Sequence, residues 1–274
     1  MSVLVVTAAG ALPGAVLDLP GCRRLAPDAA EFDAASVDAE AFAGLPVDSN
    51  AVPRANRRKR LLIADMDSTM IPVECIDELA DFAGVRAEVS AITEIAMRGD
   101  MSFEESVAAR VALLKGLPEG ALAQAYAERV RLNPGARRLV QTMNAHGALT
   151  ALVSGGFTYF TEKVAAEAGF AVNRANTLIF EDGRLTGAVA LPILGRQSKR
   201  EALDALCAEA GIARSDALAV GDGANDLAMI AAAGLGVAYR AKPVVAKAAD
   251  ARIDHSDLSA LLALQGYTAA DHAA

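Results

Sequence analysis

At 274 residues, 53% of them apolar and only 4% aromatic, the chain is long enough for one main domain with an insertion or an appended module, and its core must be largely aliphatic. A formal charge of -8 argues against a nucleic-acid partner, because the average surface repels a polyanion, and any anionic ligand then needs local cations. Three widely spaced cysteines, Cys22, Cys75 and Cys207, fit neither a disulfide framework nor a zinc knuckle and point to a reducing, cytoplasmic setting.

Residues 1–59 read as a small appended module, with β-prone pieces over 2–7 and 23–26, a helix near 39–43, and then a polar stretch. The apolar start lacks the leading basic residues of a signal peptide, since the first is Arg23, and reads better as a buried strand. No stretch reaches membrane-spanning length without a charge or a turn, so a soluble chain with no membrane partner is expected. The basic run Arg54, Arg57, Arg58, Lys59, Arg60 has no interleaved aromatics and reads as a solvated linker.

From Leu61 onward, short apolar runs over 61–64, 148–153 and 217–220 each end in a polar motif followed by a helical segment. This alternation predicts an α/β fold, a Rossmann-like parallel sheet with helices on both faces, whose ligands bind at the carboxyl ends of the strands. Between the first two strands, helices are expected over 74–83, 86–97, 103–114 and 119–131, punctuated by Gly84, Gly99, Gly116 and Pro134. Inserted there, they make a helical cap over the site. The expected domains are 1–59 as the appendage, 60–72 with 133–274 as the core, and 73–132 as the cap. A helix over 134–146, a hairpin over 177–190 and helices over 158–168, 198–210 and 225–233 complete the core.

Asp65 and Asp67 close the first strand two residues apart, where alternation can turn both carboxylates into one crevice and a hard divalent cation would relieve their repulsion. A turn or a helix cap explains Asp-x-Asp equally well on its own. Ser154-Gly155-Gly156 offers a hydroxyl and closely approachable N–H groups to an anion. Lys199 begins a helix, where a solvated side chain is the ordinary role. Gly221-Asp222-Gly223-Ala224-Asn225-Asp226 fails as a dinucleotide fingerprint, because Asp226 stands where the third glycine belongs; a metal-associated role fits better, and helix capping by Asn225 and Asp226, the bland alternative, can hold alongside a role in positioning Lys199 or phosphate.

In this order and spacing, Asp65-Met66-Asp67-Ser68-Thr69, Ser154-Gly155-Gly156, Lys199 and Gly221-Asp222-Gly223-Ala224-Asn225-Asp226 resemble the four motifs of the haloacid dehalogenase superfamily over residues 61 to about 255. Asp67 at the second motif position is similar to its phosphatases and mutases. The segment from Met101 to Val111, with the placement of Glu74, resembles the phosphoserine phosphatase family within it.

The resemblance implies release of phosphate from the small molecule O-phospho-L-serine, in serine biosynthesis, by way of an aspartyl-phosphate. Asp65 is then the nucleophile, Asp67 the general acid and base, and Lys199 a catalytic and phosphate-binding cation. Magnesium is held by the carboxylates of Asp65 and Asp222 and the backbone carbonyl of Asp67. Phosphate contacts fall to Ser154, Gly155, Gly156 and Asn225, with Asp226 in support. Glu74 and Arg110 meet the amino-acid end, and Phe103 and Met97 line the pocket. A phosphatase or phosphotransferase for another small phosphorylated metabolite and a noncatalytic amino-acid sensor are the competing readings, and a homodimer is compatible with any of them.

Overall fold

The computed structural model describes residues 1–273. Its first unit is an antiparallel sheet of β1 (Ser2–Ala8), β2 (Arg23–Ala26), β3 (Ala29–Asp33) and β4 (Val47–Pro53), with the short helix α1 (Gly14–Leu17) and a 3-10 turn at Ala39–Phe42 in the connections. The order β2-β3-β1-β4, with helical links before β2 and before β4, is a ferredoxin-like arrangement with its helices cut to single turns. One face encloses Leu4, Val6, Phe32 and Phe42, while Val3, Val5 and Val52 on the other join the main core.

The polar stretch before residue 54 is a strand, β4, which composition hides because two of its four buried side chains, Asp48 and Asn50, are polar. Asn50 pairs its carboxamide with both backbone groups of Arg252, at 2.9 and 2.7 Å. The buried carboxylate of Asp48 accepts hydrogen bonds from the backbone N–H groups of Asp254, His255 and Ser256. The basic run is also less solvated than expected. Arg57 bonds Glu31 at 2.6 Å and the carbonyls of Ala263 and Leu264, and the Lys59 ammonium donates to the carbonyls of Asn56 and Ser215.

The main sheet is wholly parallel, in the order β12-β11-β10-β5-β6-β7. Central β5 (Leu61–Ala64) is buried on both faces: Leu61 and Ile63 pack with Leu203 and Leu206, Leu62 and Ala64 with the larger core. After it come the cap helices α2 (Cys75–Ala83), α3 (Arg86–Arg98), α4 (Phe103–Leu113) and α5 (Glu119–Arg129), then α6 (Ala136–Ala145), β6 (Leu149–Phe157), α7 (Thr158–Ala168) and β7 (Val172–Asn176). A hairpin of β8 (Leu178–Glu181) and β9 (Arg184–Val189) leads to α8 (Arg196–Ala210). The chain closes with β10 (Ala217–Gly221), α9 (Leu227–Ile230), β11 (Leu235–Tyr239), α10 (Pro243–Ala248), β12 (Ala251–Ile253) and α11 (Ala260–Leu264). From β5 the chain runs outward through β6 and β7 on one side and returns through β10 on the other, which makes a topological switch point between β5 and β10.

Two features tie the cap down. The linkers at its base lie side by side, with the Asn133 backbone N–H on the Met70 carbonyl and its carboxamide on that of Thr69, at 2.8 and 2.7 Å. The core hairpin also reaches up and pairs with the α4–α5 connection, through Gly116 N–H to the Leu185 carbonyl and Leu185 N–H to the Leu117 carbonyl. Gly135 sits in the second linker at φ 80°, where a β-carbon would collide with Asp257 and Ser259.

Replacing Asp48 by Ala strands the backbone donors of residues 254–256. The expected cost is about 2–3 kcal/mol, or roughly 5–10 °C of melting temperature by calorimetry. An unchanged melting temperature would contradict the role of Asp48 in docking the first sheet.

Candidate active site

Asp65 follows β5 directly, and its backbone N–H continues the ladder onto the Val220 carbonyl of β10 at 3.0 Å, so its position is set by the sheet itself. One carboxylate oxygen accepts from the Met66 N–H at 2.7 Å and the other meets the Lys199 ammonium at 2.6 Å. Lys199 lies in the first turn of α8, only 2% exposed, and holds Asp226 at 2.6 Å on its other side. The second oxygen of Asp226 accepts from the Gly223 N–H at 3.0 Å. Asp226 therefore makes no helix cap, and α9 is a single turn rather than the longer helix the sequence suggests.

Asp67 stands where the chain leaves helical geometry, followed by Ser68 at φ 55°. Its carboxyl accepts from the Cys75 N–H at 3.0 Å and lies 3.4 Å from the Ser154 hydroxyl, which in turn accepts from the Gly156 N–H at 2.8 Å. A β-carbon at Gly156 would come within 2.6 Å of the Asp67 carboxyl, so this close approach requires glycine. Strand β6 runs on through Ser154-Gly155-Gly156 to Phe157 instead of ending before them. Asn176 pins that segment, donating to the Gly155 carbonyl at 2.8 Å and accepting from the Leu194 N–H just ahead of α8.

The cap supplies the facing wall. Glu74 precedes α2 and accepts from the Ser68 hydroxyl at 2.6 Å. On α4, the half-buried Arg110 turns its guanidinium toward the Ser106 carbonyl and the Thr93 hydroxyl of α3. Asp65, Asp67, Glu74, Met97, Phe103, Arg110, Ser154, Gly155, Gly156, Asp222 and Asn225 thus line one cavity of about 230 Å³, and Lys199 and Asp226 stand directly behind Asp65. Met97 remains 68% exposed at the rim.

Too many acids share this space. Burial, with Glu74 and Asp65 nearby, pushes Asp67 up to about 8, and burial with Asp65 pushes Asp222 up to about 6. Burial and Asp65 also push Asp226 upward, against the Lys199 ammonium and the Gly223 N–H. Lys199 itself is held above its ordinary value: burial pulls it down, but the two carboxylates outweigh burial. Oxygens of Asp65, Asp222 and Asp226 lie within 4.8 Å of one another with one ammonium between them, a hard, oxygen-only donor set with negative charge to spare, and this suits a divalent cation.

Cys75 is 1% exposed, and burial, then the Asp67 charge, keeps its thiol well above the ordinary value. A buried thiol of this kind is a poor nucleophile.

The sequence overlooks Lys242, Thr93 and Asn176. Lys242 follows β11 at the carboxyl end of a parallel strand, and the rule that located the other motifs reaches it too. Asn176 closes β7 at the same edge of the sheet, whereas Thr93 carries no such signal, because it acts through Arg110.

Residues 62–231 match the family model described as haloacid dehalogenase-like hydrolase. The phosphoserine phosphatase of Polaromonas sp. is 49% identical over 210 residues, spanning 75% of this chain and 89% of the relative. A haloacid dehalogenase family hydrolase from Salmonella enterica serovar Typhi superposes with a TM-score of 0.84 at 30% identity, covering 96% of this chain and 98% of the other. A phosphoserine phosphatase solved as a phospho-aspartyl intermediate analogue gives a TM-score of 0.70 at 40% identity, over 75% of this chain and 98% of the other.

Asp67 and Asp222 hold protons in the folded protein that the unfolded chain has released, so without an ion stability should fall as the pH rises from about 4 toward 8. A divalent cation held by the Asp222 carboxylate displaces the proton there and leaves the Asp67 carboxyl free, so its stabilising effect should grow as the pH rises through about 6. Melting temperatures at about pH 6, 7 and 8, with chelator and with a saturating divalent cation, check both signs. A cation-induced shift largest at the lowest pH would contradict the electrostatic account.

Proposed function

The chain belongs to the haloacid dehalogenase-like hydrolase family, and we propose that within it the chain is a magnesium-dependent phosphomonoester hydrolase that releases phosphate from O-phospho-L-serine to give L-serine. One observation carries the reading: a single cavity gathers Asp65, Asp67, Ser154, Asp222 and Asn225 on its core wall and Glu74 and Arg110 on its cap wall. A phosphorylated amino acid presents groups to both. Its phosphate suits Ser154, Gly155, Gly156, Asn225 and Lys199. Its ammonium suits Glu74, and its carboxylate suits the planar fork of Arg110.

Asp65 is ionised without a helper base, and its carboxylate oxygen attacks phosphorus as the bond from phosphorus to the serine oxygen breaks. The carboxyl of Asp67, held high enough to carry a proton near neutrality, gives that proton to the departing oxygen. The resulting Asp67 carboxylate then takes a proton from water while the water oxygen attacks phosphorus. The bond to Asp65 breaks, and inorganic phosphate leaves with the Asp65 carboxylate restored.

Lys199 holds the nucleophile in place and offsets charge on the phosphoryl oxygens, together with the Ser154 hydroxyl and the Gly155 and Gly156 N–H groups. Asp226 keeps Lys199 charged and oriented. Magnesium would be held by the carboxylates of Asp65 and Asp222 and the backbone carbonyl of Asp67, with Asp226 beside them. When bound it neutralises the acidic cluster and the developing phosphoryl charge. The cap limits access of other water.

Phosphate release from O-phospho-L-serine should exceed that from O-phosphothreonine and sugar phosphates. Glu74→Ala and Arg110→Ala should each lose phosphoserine activity by about thirty-fold to several thousand-fold, the equivalent of about 2–5 kcal/mol for a broken charge-assisted contact. Hydrolysis of a small aryl phosphate should fall far less. Equal losses on both substrates would remove these residues from amino-acid recognition.

A further inference from the structure

The cleft has two compartments of opposite character. The inner cavity carries Asp65, Asp67, Glu74 and Asp222 on its walls. Outside it, a vestibule of about 710 Å³ opens between α3, the start of α4, the start of α8 and the turn before α10. Arg110, Arg196 and Lys242 line this vestibule, and Glu104 is the only carboxylate among its described lining residues. Carboxylates gather within and cations at the mouth, where Arg110 and Lys242 border both compartments and Arg196 the outer one alone.

Two of these cations make no ion pair among the described residues, although Lys242 lies close enough to Glu74 and Asp222 to favour their ionised forms. Arg196 and Lys242 are exposed, and among the described residues neither is ion-paired. Lys242 borders both compartments, so it stands at their junction. Its own backbone N–H donates to the Asp222 carbonyl at 3.1 Å and Pro243 follows it at the start of α10, which fixes the base of the side chain to the loop of the reaction centre.

A doubly charged phosphomonoester approaching a chain of charge -8 is repelled on average. We propose that Lys242 and Arg196 form an anion-receiving station in the vestibule, which captures the phosphomonoester dianion by charge and passes it to the inner cavity. The inference rests on the phosphatase reading above and adds to it where the substrate first binds. The two side chains act on association, not on phosphoryl transfer, so their effect belongs in kcat/KM and its salt dependence.

The test is kcat and kcat/KM for O-phospho-L-serine at saturating magnesium, from about 20 mM to about 0.5 M added salt, where screening shortens the reach of charge several-fold. For the native chain kcat/KM should fall with salt. Lys242→Gln should lower it about five- to ten-fold at low salt and flatten the slope, Lys242→Glu should lower it further and recover as salt rises, and Arg196→Gln should act in the same direction more weakly. Lys242→Arg should match the native chain, and kcat should stay close to native in Arg196→Gln, whose side chain lies outside the inner cavity. A Lys242→Gln protein with native kcat/KM and slope, a Lys242→Arg protein as impaired as Lys242→Gln, or an Arg196→Gln protein whose kcat falls as far as its kcat/KM would overturn the station while leaving the phosphatase reading intact. A native chain that releases no phosphate from phosphoserine would overturn both.

Discussion

The site depends on one buried ammonium held between two carboxylates. Lys199 lies 2.6 Å from Asp65 and 2.6 Å from Asp226, almost without solvent contact. Desolvating such charges costs several kcal/mol per ion, and the arrangement is tolerable only because each group has further partners: Met66 and Gly223 donate backbone N–H groups to the two carboxylates. The pair of contacts serves reactivity more than stability. It holds Asp65 in one orientation, keeps Lys199 charged, and leaves a carboxylate excess that a divalent cation and a phosphoryl group can balance.

The parallel sheet makes that arrangement possible. Asp65 and Asp222 leave neighbouring strands at the switch point, Ser154 lies on the strand at the other side of β5, and Lys199 enters on a helix from the far side of the sheet. Asn176 joins the Ser154 segment to the approach of α8, so the phosphate-binding donors and the lysine are braced against each other. Above them the cap is inserted between β5 and β6, anchored by paired linkers and by the hairpin of the core. The acids at the strand ends thus face Glu74 and Arg110 of the inserted helical segment across one cavity.

Much of this was legible in the residues. Leu61–Ala64 is apolar throughout because β5 is buried on both faces, and the polar motifs after the apolar runs mark the carboxyl edge of a parallel sheet. Glycines at helix ends placed the cap helices to within a few residues. What stayed hidden is long-range. Strand β4 looked like a polar loop because Asp48 and Asn50 are buried against a backbone some two hundred residues away. The support Asp226 gives Lys199 was among the expectations, but the absence of any capping bond was not, because nothing local reveals that the ammonium and the Gly223 N–H claim both of its oxygens. Thr93 contributes by steadying Arg110 across two cap helices, a relation without a motif.

The central claim is that the phosphoryl group passes through the carboxylate of Asp65. Acid-quenching the enzyme during turnover of radiolabelled phosphoserine, trapping the acyl phosphate by reduction and mapping the peptides tests it directly. The account predicts modification at Asp65 alone, absent from Asp65→Asn. A trapped phosphoryl group on any other residue, or turnover that persists in Asp65→Asn, would contradict it.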